Sequence, residues 1–92
     1  MSQYKRKEFY KIVKDLTKKQ SYIIQEYYLK QLGYSWNIGN SINSSHNYIL
    51  IHDEDRKLYI SSPTYETELD TILDVSKLIN KIQNREKQYK IY

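Results

Sequence analysis

The sequence predicts an α+β fold of order α-(α)-β-β-β-α, a three-stranded antiparallel meander packed on one face by helices. Three observations predict it. Apolar residues recur at helical spacing in both the first and last thirds of the chain. A glycine at position 33 ends one such pattern and an alternating aromatic run, Tyr34-Ser-Trp-Asn-Ile38, begins. Two runs rich in β-branched and aromatic residues, Tyr48–His52 and Lys57–Ser61, then flank four charged residues.

Ninety-two residues suffice for a single domain, 1–92, with residues 84–92 reading as a looser tail where the apolar pattern thins. In order, residues 4–16 carry Phe9, Ile12, Val13 and Leu16 at i, i+3, i+4 and i+7, which reads as a helix. Thr17 and Gln20 have capping-box spacing, so a second helix over about 18–32 is preferred to one continuous helix. Gly33 is expected to stop it at positive φ, with Tyr34 folding back on Leu29. Trp36 is expected where helices meet the sheet. The loop Gly39–Asn47, rich in Asn and Ser, reads as mobile. Tyr48–His52 reads as the central strand. Asp53–Arg56 reads as a hairpin turn, with Leu58 and Ile60 on one face of the returning strand and Tyr59 on the other. Pro63 breaks that strand. A last helix is expected from about Glu66, its first turns rich in Glu66, Glu68 and Asp70 and its stripe formed by Leu69, Ile72, Leu73, Val75, Ile79 and Ile82.

Charge is segregated along the chain. The net +4 divides into basic ends and an acidic middle: residues 1–20 carry seven basic and two acidic side chains, residues 51–75 two basic and seven acidic. There is no cysteine, hence no disulfide or thiolate metal site. The N-terminus has no apolar core of a secretory signal, and no apolar run is long enough to span a membrane. A cytoplasmic protein, in an infected or host bacterial cell, is the expectation. Twelve Lys, twelve Ile, eleven Tyr, six Asn and no Ala are what an AT-rich genome encodes. That points to a low-GC bacterium or its phages and plasmids.

Catalytic chemistry finds little to stand on. His52, Asp53, Glu54 and Asp55 are consecutive and diverge around a turn, whereas metal ligands must converge. Ser41, Ser44 and Ser45 near His46 have no third group to orient a base. Glu66/Asp70 and Asp70/Asp74 read as helix-dipole complement. Two glycines do not make a phosphate loop. The expectation is a non-enzyme without metal or cofactor.

Two binding readings follow. Eleven tyrosines exceed what one small core hides, and tyrosine is enriched at interfaces. Tyr22, Tyr28, Tyr59, Tyr65 and Tyr89 are the exposed candidates, and a protein-binding surface is expected from Tyr59, Tyr65, Tyr28 and the acids Asp53, Glu54 and Asp55. The alternative is a nucleic-acid surface on the first helix, built from Lys5, Arg6, Lys7, Lys11, Lys14, Lys18 and Lys19 with interleaved tyrosines. Homodimerisation through an open sheet face is compatible with either.

The segment Leu32-Gly-Tyr-Ser-Trp-Asn-Ile-Gly39, followed by the Tyr-Ile-Leu-Ile and Lys-Leu-Tyr-Ile-Ser-Ser strands, resembles a pattern in small phage and mobile-element proteins. There, a helix ending in Leu-Gly-aromatic-x-Trp precedes a strand pair. The resemblance covers about residues 26–62. The element order is also similar to that of some small anti-CRISPR inhibitors, and it implies an inhibitor or modulator of a host or defence-system protein. The same order resembles the double-stranded-RNA-binding domain. Here, however, the loop is Gly-Asn-Ser-Ile-Asn-Ser-Ser-His-Asn and the last helix begins Glu-Thr-Glu-Leu-Asp, where that family carries phosphate-gripping lysines.

Overall fold

The computed structural model describes residues 10–36, 39–60 and 70–89. The chain runs β1 (Lys11–Lys14), α1 (Lys18–Glu26), a π-helical turn (Tyr27–Gln31), β2 (Ser35–Trp36), β3 (Tyr48–His52), β4 (Lys57–Ile60), β5 (Thr71–Ile72) and α2 (Val75–Tyr89). The class is α+β, but the sheet has five strands in the order β2-β4-β3-β1-β5. β3 is central and pairs antiparallel with β1 and β4, while β1–β5 and β2–β4 are parallel. The expected meander survives only as the β3–β4 hairpin.

The largest correction concerns the start of the chain. Lys11–Lys14 is a strand, not part of a helix over 4–16; residues 4–9 lie outside the described residues. Ile12 and Val13 are both fully buried. On a strand, consecutive side chains point to opposite faces. Val13 joins the core beneath the helices, and Ile12 packs with Tyr48 and Leu50 on the other face. A segment buried on two sides is apolar at adjacent positions, which imitates helical spacing. Four paired positions with β3, Lys11↔Ile51 through Lys14↔Tyr48, decide the outcome.

α1 starts as expected. Thr17 Oγ1 accepts from the Gln20 N–H at 3.1 Å, and Gln20 Oε1 accepts from the Thr17 N–H at 3.0 Å, a complete capping box. The helix ends differently. The Leu32 N–H reaches back five residues to the Tyr27 carbonyl (3.0 Å), and the Tyr34 N–H reaches Tyr28 (2.8 Å), not Leu29. The wider turn moves the closing contact by one residue, so Tyr34 packs edge-on against Tyr28 with ring centroids 4.9 Å apart. Gly33 takes φ +78° and allows the reversal.

Trp36 is buried in the core beneath the helices, as expected, on a β2 strand of two residues. β2 lies along β4, pairing Ser35↔Lys57 and Trp36↔Leu58. The long connection to β3 carries the chain past β4, so β2 becomes an edge instead of the first leg of a meander.

The Gly39–Asn47 connection is tied to α1 rather than free. Buried Gln25 donates from Nε2 to the Ser21 hydroxyl and the Asn43 carbonyl, both at 2.7 Å, and accepts the Asn43 N–H at 2.9 Å. Ser21 Oγ donates to the His46 carbonyl, and Trp36 Nε1 to the Ser41 carbonyl. These bonds satisfy two polar side chains inside the core and pin the loop across it.

α2 begins at Val75, not near Glu66. The Asp74 side chain accepts the Lys77 N–H at 3.1 Å and caps the helix. Thr71 and Ile72 are a strand held by bonds from the Thr71 N–H to the Tyr10 carbonyl and from the Leu73 N–H to the Ile12 carbonyl. Asp70 accepts the Tyr10 N–H, so neither carboxylate pair containing it lies on a helix. Ile72 is 52% exposed, whereas Ile82 is buried in the core beneath the helices and Leu73, Val75, Leu78 and Ile79 pack against that core. Glu66, Glu68 and Leu69 lie outside the described residues; the α2 backbone continues through residue 89.

Candidate functional site at the hairpin tip

The β3–β4 hairpin registers Ile51 with Leu58 and His52 with Lys57, leaving Asp53–Arg56 as a four-residue tip. The Arg56 N–H closes it onto the Asp53 carbonyl at 3.3 Å, with Arg56 at φ +54°. Alternation along β3 sends Ile51 and Asp53 towards the helices and His52 away from them. The tip is therefore braced from both sides of the sheet.

On the helix side, Asp53 accepts two strong bonds. The Tyr34 hydroxyl donates to Oδ1 at 2.6 Å, and Lys11 Nζ lies 2.6 Å from Oδ2. Partial burial alone would raise the Asp53 pKa, but the hydrogen bonds from Lys11 and Tyr34 outweigh it and hold the carboxyl below its usual value. Burial, followed by the bond to Asp53, pushes Tyr34 up to about 12. Tyr28 lies above its normal range, first through burial and then through the nearby Asp53 charge. Both phenols are thus fixed as neutral groups near neutral pH.

On the opposite side, Asp55 Oδ2 lies 3.1 Å from Nδ1 of buried His52. The His52 ring packs against Tyr10, with centroids 5.3 Å apart, and Tyr10 meets Tyr59 edge-on at 5.9 Å. Glu54 stands between the two braced carboxylates, exposed and with no ion-pair or hydrogen-bond partner among the described residues.

The predicted protein-binding residues divide accordingly. Asp53, Glu54 and Asp55 come together at the tip. Tyr59 does face away from Leu58, but it is half-buried among Tyr10, Ile12, Tyr48 and Leu50, so that sheet face is not an open tyrosine surface. Tyr28 is buried in the core and leaves the set; Tyr65 lies outside the described residues. Tyr22 is exposed on α1, as expected.

The lysine set does not form one helical face. Lys11 and Lys14 sit on β1 with side chains on opposite faces, and Lys11 is engaged by Asp53. Lys18 and Lys19 are exposed in the first turn of α1. Lys5, Arg6 and Lys7 lie outside the described residues.

Sequence reasoning missed the roles of Lys11 and Tyr34 because the contacts span 42 and 19 positions. The i, i+3 spacing of His52 and Asp55 was a visible signal that a tight turn would join them. Among the described residues, no three His, Asp or Glu side chains converge on a possible metal position, and no helix is long and apolar enough to cross a membrane. No family model, curated protein or solved structure matches the chain.

Proposed function

We propose that this chain is a small non-enzymatic binding protein, of phage or mobile-element type, that inhibits or modulates a host or defence-system protein by direct contact. Its contact surface centres on the acidic hairpin tip. The supporting observation is the division of labour among three consecutive carboxylates. Asp53 and Asp55 brace the tip from the two sides of the sheet, and Glu54 projects between them. Such a tip loses little conformational freedom on binding, which is how preorganisation raises affinity. Its charge selects a basic partner surface and speeds encounter.

The test is capture from nuclease-treated bacterial lysate, comparing the native chain with Glu54→Lys and Lys19→Glu. Glu54 has no bracing role, so reversing its charge leaves the hairpin intact. The expected result is one stoichiometric protein, held by the native chain and Lys19→Glu and lost with Glu54→Lys. Equal capture by all three would move the contact away from the tip. No captured protein would remove the protein-binding reading.

A further inference from the structure

We infer that the outer surface of the helical layer is a second binding surface, one that takes the phosphate backbone of nucleic acid. α1 and α2 pack on the same side of the sheet and share one core. The apolar side chains of α2, Val75, Leu78, Ile79 and Ile82, face that core. Lys77, Lys81 and Arg85 recur every four residues and are exposed. Positions four apart lie one above another on a helix, so these three form a cationic line about 12 Å long. Over that length a duplex presents about seven phosphate charges.

The line does not end at α2. Arg85 reaches the Tyr27 hydroxyl at 3.5 Å, next to the segment that carries exposed Lys30. Exposed Lys19 and Tyr22 are three apart on α1, so the outward face of that helix adds a cation and an aromatic ring. Of the acids on α1 and at the start of α2, Glu26 is half-buried and Asp74 caps α2. This surface differs from the N-terminal lysine set: its main line comes from the last helix, and it excludes Lys11 and Lys14. It shares no residue with the hairpin tip, so substitutions can test the two surfaces independently.

The experiment is a salt titration of binding to a short fluorescent DNA duplex by anisotropy. Variants are Lys77→Glu/Lys81→Glu, the neutral pair Lys77→Gln/Lys81→Gln, and Glu54→Lys. Binding at low salt is expected, weakening with a log–log slope of about −0.9 per phosphate contacted, hence about −2 from Lys77 and Lys81 alone. The Glu pair should lose at least about tenfold in affinity, the Gln pair should flatten the slope by roughly two contacts, and Glu54→Lys should not weaken binding. Circular dichroism checks each fold; should the Glu pair unfold, the Gln pair decides the outcome. No binding at low salt, a flat salt response, or an unchanged Gln pair would overturn the inference. So would equal binding of polyglutamate, which would point to acidic peptides.

Discussion

Tyr34 and Asp53 are joined by a 2.6 Å hydrogen bond between the exit of the first helix and the tip of the hairpin. Lys11 meets the same carboxylate from β1, so one side chain fastens three separate segments. Removing the hydroxyl in Tyr34→Phe should cost about 0.5–1 kcal/mol, below the roughly 1.5–3 kcal/mol of a bond to a buried charged group because the site is solvent-accessible. Urea denaturation at neutral pH measures it.

The same contact predicts how stability varies with pH. The folded-state pKa of Asp53 is depressed, so its contribution is present above the unfolded carboxyl value near 4 and lost as pH falls through the folded value. Tyr34 works in reverse. Its pKa is raised to about 12, so its contribution is complete below the unfolded value of about 10 and disappears as pH rises through the folded one. Denaturation midpoints should fall at both extremes, and Tyr34→Phe should flatten the alkaline limb. An identical alkaline limb in the variant would contradict the assignment.

Gln25 should be among the least replaceable polar residues. Gln25→Ala removes three hydrogen bonds, empties a fully buried site, takes a donor from the buried Ser21 hydroxyl and releases the Asn43 N–H and carbonyl from α1. A loss of about 2–3 kcal/mol is expected, lowering Tm by roughly 10–20 °C. Amide exchange at Asn43 should accelerate more than exchange in β3, because the loop is released first.

Ile72 and Ile82 offer a paired comparison. Both belong to the apolar pattern read for the last helix, yet one is 52% exposed on an edge strand and the other 1% exposed under α2. Ile82→Ala should cost about 2–4 kcal/mol and Ile72→Ala within about 0.5 kcal/mol. Similar losses at the two positions would be inconsistent with the strand at 71–72.

Backbone conformation makes a further prediction at the tip. Arg56 holds φ +54°, where a side chain is disfavoured and glycine is not. Arg56→Gly should therefore cost nothing or stabilise by up to about 1 kcal/mol, whereas Gly33→Ala, at φ +78° with space for a methyl group, should cost about 1 kcal/mol through strain alone. Chemical denaturation of the two variants tests the opposite signs.

The elements legible from the sequence are those set by neighbours in the chain. Thr17 and Gln20 cap a helix because they are three apart. Gly33 ends one because no other residue takes its φ so cheaply, and Tyr48–Ile60 forms a hairpin because two β-rich runs flank a polar turn. The acidic tip was visible for the same reason. Tertiary structure decided the rest. Ile12 and Val13 fit a helix by spacing, and only burial on both faces beside β3 makes them a strand. Trp36 could have paired with β3, but the length of the Gly39–Asn47 connection carries it to the edge of β4. Tyr28 reads as a surface residue in the sequence, but the π-helical turn rotates it under Tyr34. Lys11, Tyr34 and Asp53 converge only after the sheet assembles, since a contact between distant segments is stabilised by the packing that places them and leaves no local pattern to read.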